Sequence, residues 1–184
     1  MSPVLWRYEN VRKINLPFTE EVIMSLKAGD TVYVSGTIYT ARDAAHKRFI
    51  ETLEKGEELP IPIKNQVIYY AGPCPAKPGH VVGSCGPTTS GRMDAYSPAL
   101  LDLGLSAMIG KGDRSDNVVA SIVKNKAVYL GAIGGAGALI SGCVKEISVV
   151  AYEDLGTESV KKMVVENMPL TVVIDAFGNN LYRR

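Results

Sequence analysis

Between Gly72 and Gly91, five glycines and four prolines punctuate one continuous stretch of the chain. Proline fixes φ and removes a backbone donor, while glycine weakens helix and strand alike, so no regular element runs through it. About twenty residues without secondary structure inside a compact domain are usually functional or disordered. Such tight punctuation favours a built loop. Its end, Gly86-Pro87-Thr88-Thr89-Ser90-Gly91-Arg92-Met93-Asp94, gathers three hydroxyls, a permanent cation and a carboxylate. Backbone N–H groups, hydroxyls and a guanidinium at one point suit an anionic substrate.

The segments around this loop set the fold class. Val4–Asn15 alternates loosely between apolar and polar residues, as a strand does, and Thr19–Leu26 suits a short helix. Thr31–Thr40 is rich in β-branched and aromatic residues and reads as a strand, broken or bulged at Gly36. Ala41–Lys55 has helical composition, with Gly56 placed to end it. Strands are expected at Gln66–Ala71, Ala107–Ile109, Ala127–Leu130 and Ile147–Tyr152, and helices at Ser97–Leu103, Asn117–Asn125 and Ala136–Cys143. Val160–Glu166 and Leu170–Asp175 read as two further strand pieces, with a hairpin turn at Gly178-Asn179-Asn180. Strands alternating with helices imply an α/β fold, a single mixed domain over residues 1–184.

Composition excludes several function classes. With 184 residues and 46% hydrophobic content, the chain can bury a sizeable core. Twenty basic residues against nineteen acidic leave a formal charge of +1, so no global field draws nucleic acid or an anionic membrane. No apolar run reaches the length of a membrane span, and Met1–Asn10 lacks the apolar stretch of a signal peptide. A soluble, cytoplasmic protein is expected. Cys74, Cys85 and Cys143 are odd in number and lack C-x-x-C spacing, which argues against a disulfide framework, a zinc ribbon or an iron–sulfur cluster held by this chain alone.

Two further places carry candidate chemistry. In Thr40-Ala41-Arg42-Asp43-Ala44-Ala45-His46 a strand gives way to a helix, and a helix start attracts anions. Arg42 is read either as an anion ligand there or as a solvated surface residue, and Thr40 or Asp43 as a helix cap. His46 follows Arg42 by one helical turn, so both could face one cleft. Ile109-Gly110-Lys111-Gly112 sets an ammonium between two glycines, as a carboxylate ligand or as a plain surface turn. The glycine-rich run from Gly131 to Gly137 does not match G-x-G-x-x-G and is read as close helix–strand packing.

Taken together, Thr-Ala-Arg-Asp-Ala-Ala-His at 40–46, Tyr-Tyr-Ala-Gly-Pro at 69–73, Pro-Ala-Lys-Pro-Gly at 75–79, the loop at 86–94 and Gly-Lys-Gly at 110–112 closely resemble the β subunit of class I fumarate hydratase and of L-tartrate dehydratase. The resemblance spans nearly the whole chain. It implies a swivelling β/β/α fold and a hydro-lyase that reversibly hydrates fumarate to (S)-malate. It also implies an α subunit carrying a [4Fe–4S] cluster that this chain does not bind, in a hetero-oligomer for which α2β2 is the expectation. By the same resemblance Thr88 matches the proton-abstracting base, and Arg42, Arg92 and Lys111 match the groups that hold the substrate carboxylates. Thr89, Ser90, Asp94 and His46 stand as supporting residues. A hydroxyl is a poor base unless cations or N–H groups stabilise its alkoxide, so Thr88 has a second reading as a binding group. The function, too, has alternatives: the β subunit of a tartrate dehydratase, or an interaction module with no catalysis of its own.

Overall fold

The parallel strands of this chain are apolar on both faces, and that property dictates the layering. A computed structural model describes residues 11–133 and 137–183. Strand β1 (Arg12–Asn15) leads to helix α1 (Glu20–Ser25), whose N-cap Thr19 accepts a hydrogen bond from the Val22 amide. The earlier part of the expected first strand, Val4–Asn10, lies outside the described residues. Strand β2 (Thr31–Thr40) has the expected bounds, and helix α2 (Asp43–Glu54) follows and closes on Gly56 at φ +70°. Then come β3 (Val67–Tyr69), α3 (Ser97–Asp102), β4 (Ala107–Gly110), α4 (Asp116–Lys124) and β5 (Val128–Gly131). Helix α5 (Gly137–Cys143), β6 (Val144–Ala151) and β7 (Val160–Ile174) complete the order. The expected opening of α5 at Gly134-Gly135 lies outside the described residues.

Strands β2, β3, β4 and β5 pair in parallel, in that order. Strand β7 runs antiparallel to both β5 and β2, from Leu130↔Val172 at one margin to Thr40↔Lys161 at the other. Because β7 bonds to both ends of the parallel set, the sheet closes into a barrel-like arrangement. β1 extends the edge of β2, and β6 that of β7. The protein is thus a small mixed α/β domain.

Alternation along each strand builds two cores. Val67, Tyr69, Ala107, Ile109, Val128 and Leu130 point inward with Val32, Val34, Met163 and Val172. Ile68, Tyr70, Met108 and Tyr129 point outward, beneath Phe49 of α2, Leu100 and Leu101 of α3, and Val118 and Ile122 of α4. Burial on both faces is the reason these strands read as unbroken apolar runs.

Two details depart from the sequence reading. The two tail segments form one strand of 15 residues. The interruption is a bulge: pairing with β2 jumps from Val34↔Met168 to Gly36↔Val165, Asn167 takes φ +50°, and its amide donates to Ser35 Oγ at 2.9 Å. Gly36 stands on the opposite strand at the same irregularity, as expected, and a β-carbon there would meet Leu16 at 2.8 Å. Strand β6 also begins earlier than expected, at Val144, directly after α5.

Candidate functional site

The candidate residues gather at the carboxyl ends of the parallel strands, where open α/β sheets place their ligands. Beyond Tyr69 and Ile109, strands β3 and β4 stay joined by one bond, from the Tyr70 amide to the Ile109 carbonyl (2.8 Å). Past it they separate, and the segment 88–90 enters the gap. The Thr88 amide donates to the Tyr70 carbonyl (2.7 Å) and the Ser90 amide to the Lys111 carbonyl (2.9 Å), with Thr89 bridged in parallel to Lys111. Thr88, 23 positions before Lys111 in the chain, is thereby fixed at the same strand end. The glycines around Lys111 have separate causes. Gly110 gives way to the Ser90 side chain, and Gly112 turns the backbone at φ +83°.

The two arginines arrive from different elements. Arg42 is the N-terminal flanking residue of α2, directly beyond β2. Its Nε lies 3.6 Å from Glu158 Oε1 and its Nη2 3.8 Å from Asp43 Oδ2. Gly72 packs against this guanidinium, since a β-carbon there would come within 3.2 Å of Nη1. Arg92 sits in a 3₁₀ turn, Ser90–Met93, and its Nε forms an ion pair with Asp43 Oδ1 at 2.8 Å. Asp43 therefore joins the loop to the start of α2. It does not act as the side-chain cap considered from the sequence, because the flanking residue is Arg42 and makes no side-chain cap bond.

Beneath the loop lies a group that sequence reasoning passed over. Arg114 is 2% exposed, its Nε donates to Asp94 Oδ1 (2.6 Å), and its Nη2 donates to Ser97 Oγ (2.7 Å). Its guanidinium stacks over the rings of Tyr70 and Tyr129 at 5.3 and 5.0 Å. Burial opposes its charge, but Tyr70, Asp94 and Tyr129 outweigh that and hold its pKa above the ordinary value. Asp94 also accepts from the Ser115 amide (2.6 Å), and the Tyr129 hydroxyl reaches both Ser90 Oγ (2.8 Å) and the Gly112 carbonyl (2.9 Å). Asp94 and Ser90 thus face inward and anchor the loop, while Thr88 is half-buried and Thr89, Arg92 and Lys111 are exposed.

His46 does not share a cleft with Arg42. It is fully buried, edge-on to Tyr70 and Phe49, because the side of α2 one turn beyond Arg42 faces the sheet. Burial lowers its pKa to about 4, despite the bond from Nδ1 to the Arg42 carbonyl at 2.8 Å. The neutral ring must donate through Nδ1, so it braces the Arg42 backbone. Among the described residues no three His, Cys, Asp or Glu side chains converge as metal ligands. Cys74 is exposed, and Cys85 is buried with its thiol pushed up to about 12 by desolvation. No helix among the described residues is long and apolar enough to cross a membrane.

The model of the fumarase C-terminus matches residues 3–184. This chain belongs to the fumarase C-terminus family. Within that family it is 38% identical, over 93% of its length, to an aerobic class I fumarate hydratase of Salmonella typhimurium, and 40% identical, over 85%, to fumarate hydratase 2 of Leishmania major. It spans only 30% and 28% of those two proteins. A third relative, designated provisionally as the β subunit of an L(+)-tartrate dehydratase of Methanocaldococcus jannaschii, is 39% identical over 89% of this chain and 87% of its own length. The fumarase C-terminus family is therefore present both as part of long chains and as a chain of this size.

Proposed function

We propose that this chain is the β subunit of a hydro-lyase that reversibly hydrates fumarate to (S)-malate. The observation that carries the reading is the insertion of 88–90 between the ends of β3 and β4. It sets Thr88 and Lys111 at one strand end, while Arg92 in the following turn meets Asp43 beside Arg42. A dicarboxylate needs two separated cationic contacts, and guanidiniums add orientation to charge. Arg42, Arg92 and Lys111 supply them. Thr88 Oγ1, acting as an alkoxide that cations beside it would have to stabilise, takes the proton from the carbon beside one carboxylate. The C–H electron pair becomes the new double bond as hydroxyl leaves the adjacent carbon.

In this reading the [4Fe–4S] cluster belongs to a separate α subunit, because the residues described here do not fit a cluster. When bound there it supplies a Lewis acid for the departing hydroxyl. The α subunit corresponds to the part of the long relatives that this chain does not span, in a cytoplasmic hetero-oligomer such as α2β2.

The second reading is the β subunit of a tartrate dehydratase. It is favoured by the near-complete match in length to the Methanocaldococcus jannaschii protein. Assaying the reconstituted pair with malate, fumarate and L-tartrate separates the two, and tartrate turnover with negligible malate turnover would reject the first. Within an active pair, Thr88→Ala is expected to lower kcat by about 100-fold or more. Near-normal turnover would show that the base lies elsewhere.

A further inference from the structure

A line of alternating charge crosses the site: Arg92, Asp43, Arg42, Glu158. Arg92 Nε lies 2.8 Å from Asp43 Oδ1, Arg42 Nη2 3.8 Å from Asp43 Oδ2, and Arg42 Nε 3.6 Å from Glu158 Oε1. All three are ion pairs, and none has hydrogen-bond geometry. Arg42 Nε, Asp43 Oδ2 and Glu158 Oε1 are all buried and without a hydrogen-bond partner among the described residues. The four groups are matched in charge, and one joint between Asp43 and Arg92 is tight.

We propose that Asp43 is a positioning residue that sets the spacing and orientation of the Arg42 and Arg92 guanidiniums. This rests on the reading of those two arginines as carboxylate clamps. A guanidinium carries five N–H donors in a planar fork. Asp43 takes the Nε edge of Arg92 and leaves its terminal nitrogens for an external carboxylate. Glu158 faces the Nε of Arg42 in the same sense, while Gly72 leaves room for its Nη1. The two cations repel each other, and the carboxylate between them offsets that repulsion. Without it, Arg92, whose side chain is 54% exposed, is held only by its own turn and samples solvent. Glu158 comes from the segment before β7, so a third element steadies Arg42.

Two readouts test this, one of which does not depend on catalysis. In the full chain labelled with ¹⁵N, the Nε–H resonance of Arg92, assigned by its loss in Arg92→Lys, should be displaced from the free-arginine position by the carboxylate 2.8 Å away. It should collapse toward the free-arginine position in Asp43→Ala and in Asp43→Asn, and persist in Lys111→Ala. An unchanged resonance in both Asp43 variants overturns the proposal, whatever reaction the complex performs. In the complex with the α subunit, Asp43→Ala should raise KM for the diacid by about tenfold or more while kcat changes less than about threefold, with partial rescue by Asp43→Glu. A lower KM would mean that Asp43 competes with substrate for the arginines, and that also overturns it. A wild-type complex that turns over neither malate nor tartrate, with the resonance behaving as described, rejects the proposed function and supports the positioning role.

Discussion

Ser90 Oγ occupies the volume that a β-carbon on Gly110 would need, 1.9 Å from its ideal position. The two residues lie on different elements, one in the inserted loop and the other at the end of β4, and the contact seats the loop against the sheet. Gly110→Ala should therefore expel Ser90 from its place beside Tyr129 and loosen the bonds to Lys111. A loss of about 1–3 kcal/mol is expected, measured by urea unfolding. Adding Ser90→Gly should recover part of it, since that removes the clashing hydroxyl but leaves Tyr70 Cδ2 3.0 Å from the new methyl. Failure of the double variant to recover would place the strain elsewhere.

Arg114 makes a larger prediction. Replacing it with Ala leaves Asp94 without its charge partner and opens a cavity between Tyr70 and Tyr129, so stability should fall by about 3–5 kcal/mol. Asp94→Asn leaves the buried guanidinium without its counter-charge and should cost a comparable amount. The midpoints of guanidinium chloride unfolding compare the two. Equal, small effects would show that the pair is replaceable.

His46 gives the fold a pH dependence of known sign. Its pKa falls from 6.5 to about 4 on folding, so between those values the unfolded chain binds the extra proton. The stabilisation is complete above pH 6.5, declines as the pH drops toward 4, and is level below that. Its size is on the order of 3 kcal/mol by linkage. Stability measured at intervals over that range should slope in the wild type and flatten in His46→Phe. A slope of the same size in the variant would assign it to other groups.

The thiols should separate by reactivity. Cys74 is exposed, whereas Cys85 is buried with its thiolate disfavoured. Alkylation of the folded chain followed by mass spectrometry should modify Cys74 early and Cys85 only on unfolding. Rapid modification of Cys85 in the native protein would contradict the packing around Tyr69, whose hydroxyl donates to the Cys85 carbonyl at 2.6 Å.

Local signals carried much of the fold. Thr31–Thr40, the bulge at Gly36, the helix end at Gly56 and the unstructured run ahead of Ser90 all depend on residues close in sequence, and all appear where composition places them. The composition of β7 reads as two pieces, Val160–Glu166 and Leu170–Asp175, with Asn167, Met168 and Pro169 between them. Pairing with β2 from Lys161 to Thr171, which no local pattern reveals, carries the strand through the bulge. Closure of the sheet by β2 and β7 is hidden for the same reason. Within the site, the loop and Lys111 stood out by their glycines. Arg114 carries no local signal, and its burial follows only from Tyr70 and Tyr129 arriving on other strands. Spacing put His46 one turn from Arg42 but could not say that this side of α2 faces the sheet. Glu158, distant in the chain, gave no sign at all.

Main-chain atoms hold residues 88 and 89 between β3 and β4, and among the described residues only Ser90 adds a side-chain bond, accepting from the Tyr129 hydroxyl. Nothing in that attachment depends on which side chains stand at 88 and 89. The frame can therefore stay fixed while the exposed side chain it presents at Thr89 is exchanged, without rebuilding the sheet that carries it.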